Sequence, residues 1–108
     1  MHTEILKETK RLMVTNFLDI IILAELKRFS PLSGYDILNL VYKKFGFLIS
    51  PGTIYALLHA MERRGIIRGS YSQRKRVYTL TNKGIETIDA ISKSKDDIQK
   101  FIAKMLTG

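Results

Sequence analysis

Residues 50–84 read SPGTIYALLHAMERRGIIRGSYSQRKRVYTLTNKG. Ser50 offers an N-cap, and Pro51 takes the first helical position, where a missing N–H loses nothing. Ile54, Leu57, Leu58 and Met61 then recur at helical spacing and form a core face. Gly52, Tyr55, Ala56, His59 and Arg63 fall on the opposite face, and Gly65 ends the helix. Ile66 to Tyr71 and Arg76 to Leu80 predict two strands, since Val77, Tyr78 and Leu80 suit a pleated surface. The polar turn Ser72-Gln73-Arg74-Lys75 joins them, and Thr81 can cap a following helix. Between Arg63 and Ile85 stand seven basic residues and no acidic one. A capped amphipathic helix, a basic hairpin and a further helix make the layout of a winged helix-turn-helix. In that layout one helix enters a DNA groove and a charged hairpin lies beside it.

Upstream, Ser33 and Asp36 form a capping box for a helix running to about Phe45, with Ile37, Leu38, Val41 and Phe45 inward and Gly46 as its C-cap. Ser30-Pro31-Leu32 reads as a loop. Residues 4 to 28 read as one helix that is apolar on a broad face from Phe17 onward, so it is buried on more than one side. Residues 1–13 are a more polar N-terminal extension, which either lengthens that helix or packs against a second subunit. Downstream, Ile85, Ile88, Ile91, Ile98, Ile102 and Met105 make an apolar stripe with Phe101 beside it. One long helix is the preferred reading. The alternative is a break near 93–96, where Ser94-Lys95-Asp96-Asp97 could form a second capping box. So small a domain leaves little to cover this stripe, and a helix from a second copy is the natural cover. The fold class is therefore mainly α with a small β-hairpin. Residues 1–84 are expected to form the DNA-binding domain and 85–108 a dimerisation helix of the same compact unit.

The bulk numbers are consistent with this. A chain of 108 residues is one domain, and a net charge of +8 calls for an anionic partner. There is no cysteine, so disulfides, thiol nucleophiles and cysteine-based zinc sites are excluded. The densest apolar run, Phe17 to Leu26, is interrupted by Asp19 and Glu25 and is about half the length of a membrane span. Glu4, Lys7, Glu8, Lys10 and Arg11 stand where a signal peptide would be apolar. The expectation is a cytoplasmic protein with no membrane partner.

The outward face of the 51–64 helix combines small residues, Gly52 and Ala56, with Tyr55, His59 and Arg63, which can reach phosphates or base edges. Its N-terminus presents backbone N–H groups to phosphate. Arg74, Lys75 and Arg76 make a wing that contacts phosphates or the minor groove, and the run itself does not distinguish among the three. Tyr35 opens the helix that faces the DNA backbone in helix-turn-helix proteins. His2 and His59 lack acidic or cysteine neighbours at metal spacing, and Asp96 and Asp97, being adjacent, point to different faces. No nucleophile motif or phosphate loop is present, so no enzyme, cofactor or metal is expected.

Gly34-Tyr35-Asp36-Ile37, Ser50-Pro51-Gly52-Thr53-Ile54-Tyr55-Ala56-Leu57-Leu58, Met61-Glu62-Arg63-Arg64-Gly65-Ile66-Ile67 and Arg76-Val77-Tyr78-Thr79-Leu80-Thr81-Asn82-Lys83-Gly84 together resemble the PadR family of transcriptional regulators. The resemblance spans about residues 17 to 85 and fits the compact branch with a single C-terminal helix. It implies a homodimer built through the last helix with N-terminal residues, binding a palindromic operator on double-stranded DNA as a repressor. Ser50, Gly52, Thr53 and Tyr55 match the family's recognition-helix motif, while Arg74, Lys75 and Arg76 match the wing by position. Ile88, Ile91, Ile98, Phe101, Ile102 and Met105 would line the dimer interface. Some compact members hold a planar small-molecule effector against a Trp of the last helix. This chain has no Trp, and Phe101 is the only aromatic residue there. Two other readings fit a basic winged helix: an architectural protein that coats DNA without sequence preference, and a module that binds an acidic protein.

Overall fold

The computed structural model describes residues 1–108. In chain order the elements are α1 (His2–Asn16), α2 (Leu18–Arg28), β1 (Leu32–Ser33), α3 (Gly34–Phe45), α4 (Pro51–Arg63), β2 (Ile67–Ser72), β3 (Lys75–Leu80), α5 (Asn82–Lys93) and α6 (Lys95–Met105). The fold is mainly helical with a small antiparallel sheet, as expected of a winged helix-turn-helix.

Helix α2 is the centre. Its Leu18, Ile22, Leu23 and Leu26 are buried, and they meet Ile37 and Val41 of α3 and Ile54, Leu58 and Met61 of α4 in one core. At about 1.5–3 kcal/mol for each fully buried aliphatic side chain, this cluster is the main driving force for the tertiary arrangement. Glu25 is also buried, and Lys44 Nζ answers its carboxylate at 3.3 Å.

The capped elements form where their sequences predict. Ser33 Oγ accepts from the Asp36 amide and Asp36 returns the bond to the Ser33 amide, closing the capping box of α3. Gly46 (φ 78°) and Gly65 (φ 75°) take the left-handed conformation that ends α3 and follows α4. Thr81 Oγ1 accepts from the Gly84 amide at the start of α5.

Three elements differ from expectation. The helix expected over residues 4 to 28 breaks at Phe17. Thr15 and Asn16 bond back to the carbonyls of Arg11 and Leu12 just before the break, contacts of the kind that bends a helix. Beyond the break α2 is buried, whereas α1 buries only Val14. Residues Leu32 and Ser33, expected in a loop, form β1 and pair with Tyr78 and Val77, giving a sheet of order β1-β3-β2. The single C-terminal helix is interrupted at Ser94. The expected alternative capping box does not form there. Ser94 Oγ instead donates to the Ala90 carbonyl, and its N–H to the Ile91 carbonyl. The turn lets α6 fold back, so that Ile98 and Ile102 face Phe17 and Ile20 across a groove.

The hairpin is tighter than the sequence suggests. Ser72 pairs with Lys75, so the loop is only Gln73-Arg74. Both residues have positive φ, 52° and 67°, the signature of a two-residue primed turn.

The radius of gyration is 15.1 Å, against about 13 Å for a compact chain near this length. The excess reflects α1 and α6, whose Ile5, Leu6, Phe101 and Met105 are more than half exposed.

Candidate nucleic-acid interface

The outward face of α4 is set by its inward one. Ile54, Leu58 and Met61 are fully buried, which leaves Gly52, Thr53, Tyr55, Ala56, His59 and Arg63 exposed. At the N-terminus the Ser50 and Thr53 hydroxyls lie 2.8 Å apart, and Ser50 Oγ also accepts the Thr53 amide. Pro51 has no amide, and Ile54 donates to the Ser50 carbonyl. The set of free amides expected at this helix end thus narrows to that of Gly52. Gly52 is exposed, and a Cβ there would meet nothing within 4 Å.

Tyr55 has two environments. It is 48% exposed. Yet its ring lies so close to Gly34 that a Cβ there would be 2.5 Å from Tyr55 Cε1. Tyr55 therefore braces α4 against the first residue of α3. Tyr35, the next residue along, is 66% exposed. The Ser33–Val77 pairing brings this end of α3 beside β3. The Lys75 charge helps to lower the Asp36 carboxyl, whose largest influence is the Ser33 amide bonded to it.

The seven basic residues of this region do not share one role. Arg63, Arg68, Arg74 and Lys75 are exposed and in no ion pair, as is His59. Arg64 pairs with Asp19 at 3.4 Å, and Lys83 Nζ donates to the Arg64 carbonyl. Arg76 is also exposed, but its Nη2 lies 2.7 Å from Glu62 Oε2. That bond raises its pKa, and its guanidinium lies over Tyr71 and Tyr78 at 5.6 and 5.8 Å. The expected three-charge wing is therefore two free charges and one that is paired within the chain. Glu62 was not singled out from sequence, although it is the one acidic residue in the 51–64 segment.

The expected dimer-interface residues also divide. Ile88 is 4% exposed and lies in the chain's own core, which removes it from any outer surface. Phe101 and Met105 are exposed, Ile91 and Ile102 half-buried. With Ile98, and with Met13, Phe17 and Ile20 from α1 and α2, they line a groove that contains no polar residue. Nowhere do three or more His, Cys, Asp or Glu side chains gather as a metal would need. No helix is long and apolar enough to cross a membrane.

The family model for the transcriptional regulator PadR-like family matches residues 22–90, the segment from α2 into α5. No curated protein matches the chain. A PadR family transcription regulator from Clostridium difficile is 27% identical, with a TM-score of 0.74 over 84% of this chain and 99% of that one. A PadR-like transcriptional regulator from Bacillus cereus is 26% identical, with a TM-score of 0.71 over 90% of this chain and 98% of that one. Bacillus subtilis PadR, solved in complex with operator DNA, is 29% identical over 68% of this chain and 45% of that one, with a TM-score of 0.58.

Proposed function

This chain belongs to the PadR-like family of transcriptional regulators, and on that premise we propose that it is a repressor which binds a palindromic operator as a homodimer. The observation that carries this reading is the set of exposed residues on the outward face of α4 and at the hairpin tip. It presents Thr53, Tyr55, His59, Arg63, Arg74 and Lys75 outward, and none of the basic residues in this set is paired within the chain. Helix α4 enters the major groove, where Thr53 and Tyr55 meet base edges. Ser50, Gly52 and Tyr35 approach the backbone, and the wing adds phosphate contacts. The operator complex of the Bacillus subtilis relative supports DNA as the partner.

Dimerisation is supported by the apolar groove between α6 and the α1–α2 junction, together with the exposed apolar side chains of α1. A monomer would leave both in water. Residues 1–84 act as the DNA-binding domain, and 85–108 complete its core through Ile88 before supplying the dimer surface. A two-fold dimer sets its α4 helices about one helical turn, roughly 34 Å, apart on the duplex.

The test is binding to a duplex selected by the protein from a randomised pool, beside an unrelated duplex at the same salt concentration. A repressor of one operator should prefer the selected duplex by at least about 10³. Thr53→Ala should lower that preference more than it lowers affinity for the unrelated duplex. A ratio near one for the wild type would instead favour a DNA-coating protein and end the operator reading.

A further inference from the structure

Glu62 is an acidic residue on a helix that, in the reading above, faces a polyanion. Its side chain is 22% exposed and lies beneath the hairpin. There Oε2 accepts two donors, the Gly69 amide at 3.3 Å and Arg76 Nη2 at 2.7 Å. Gly69 belongs to β2 and Arg76 to β3. One carboxylate in the last turn of α4 thus grips both strands of the hairpin. The surroundings fit this grip. The Arg76 guanidinium lies over Tyr71 and Tyr78, and a Cβ at position 69 would come within 2.6 Å of its Nη2. An exposed ion pair contributes little on its own. Here the carboxylate also takes a backbone amide, and charge-assisted bonds of this kind fix geometry as well as charge.

We infer that Glu62 and Arg76 are positioning residues that set the angle of the wing against α4, and that the phosphate-contacting charges at the tip are Arg74 and Lys75. The inference rests on the DNA-binding reading, and it assigns Arg76 to the protein instead of to DNA. It also makes a prediction of opposite sign to simple electrostatics. Deleting a negative charge beside DNA should tighten binding to any duplex. Deleting a strut should weaken the specific complex.

Four variants separate these outcomes: Glu62→Ala, Glu62→Gln, Arg76→Ala, and Arg74→Ala with Lys75→Ala. Affinity is measured over a range of salt on the wild-type-selected duplex and on an unrelated one. Hydrogen exchange at the Gly69 and other hairpin amides is measured without DNA. The Arg74/Lys75 variant should lower the salt slope by about 1.8, two contacts at about 0.9 each. Arg76→Ala and Glu62→Ala should leave the slope unchanged and speed exchange at Gly69. They should weaken the selected duplex about tenfold, an effect the size of one mismatched base pair. Glu62→Gln keeps an acceptor oxygen and should recover part of the loss, which also covers the case of an unfolded Ala variant. A drop of about 0.9 in slope for Arg76→Ala would overturn the assignment. So would tighter binding of both duplexes by Glu62→Ala with Gly69 exchange unchanged. If the wild type prefers no duplex, the operator reading falls, while exchange at Gly69 in the Glu62 variants still decides the strut.

Discussion

Replacing Gly84 with Ala tests how closely the wing is bolted to α5. Gly84 is buried, and a Cβ added there would lie 2.0 Å from the Ile66 carbonyl oxygen and 3.3 Å from Leu80 Cδ2. Carbon and oxygen approach no closer than about 3.3 Å even in favourable contacts, so two backbones must part by about 1.3 Å. Ile66 O is also the acceptor for the Thr81 amide, and Thr81 Oγ1 donates to the Gly65 carbonyl at 2.6 Å. Separation therefore endangers the two Thr81 hydrogen bonds, at about 1 kcal/mol each, as well as the α5 cap. Overpacking strain adds about 1–3 kcal/mol. The expected loss is about 3–5 kcal/mol, a large part of the roughly 5–15 kcal/mol that holds a domain folded. At about 4 °C or more per kcal/mol, the melting temperature should fall by at least about 12 °C. The assay is thermal and urea unfolding by circular dichroism, at one fixed protein concentration because association shifts the midpoint. Gly52→Ala is the internal comparison, since open space and a helical backbone should make it stabilising by up to about 1 kcal/mol. A Gly84→Ala midpoint within about 4 °C of wild type would refute the reasoning, because that margin is worth only about 1 kcal/mol. A Gly52→Ala loss as large as that of Gly84→Ala would refute it too.

Three further outcomes are expected. Phe101→Glu places a charge on the exposed wall of the apolar groove, and light scattering should show a monomer whose helical content is unchanged; a persistent dimer would move the interface elsewhere. Gly34→Ala should push Tyr55 off the start of α3 and reduce discrimination between selected and unrelated duplexes while leaving the salt slope intact; an unaltered ratio would remove Tyr55 from the brace. Asp36 is held below its ordinary carboxyl range chiefly by the Ser33 amide, so the folded form gains wherever Asp36 is ionised. That gain is fully present above about pH 4 and is lost as pH falls through the lowered folded value. Asp36→Asn should therefore flatten the stability decline in that acid window, as read by urea midpoints, and an unchanged decline would assign it to other carboxylates.

Helices α3 and α4 were legible because their ends are written in local chemistry. Ser33 with Asp36, Ser50 with Pro51, and the two left-handed glycines act within a few residues of where they stand. The break at Phe17 has no Gly or Pro to announce it; it follows from α2 being wrapped by the core while α1 is not. Strand β1 is two residues long and is a strand only because Tyr78 and Val77 lie alongside. The outward face of α4 that makes up the candidate site was partly legible. Helical period alone separates Tyr55, His59 and Arg63 from Ile54, Leu58 and Met61. It could not sort three consecutive charges, since what singles out Arg76 is a carboxylate fourteen residues back. The isoleucine stripe misled for a related reason. Its regular spacing runs past a bend at Ser94, so Ile88 is buried in the core while Ile98 stays 39% exposed.

The hairpin tip carries a conflict between durability and purpose. Gln73 and Arg74 both hold a left-handed backbone that costs an ordinary L-residue about 1–2 kcal/mol, and Asn-Gly would close the same turn with less strain. An engineer seeking a hardier protein would make that exchange first and would erase an outward arginine in doing so. Variants selected for heat resistance alone should drift toward Asn-Gly here, whereas selection that also demands a grip on its target should hold the strained pair in place.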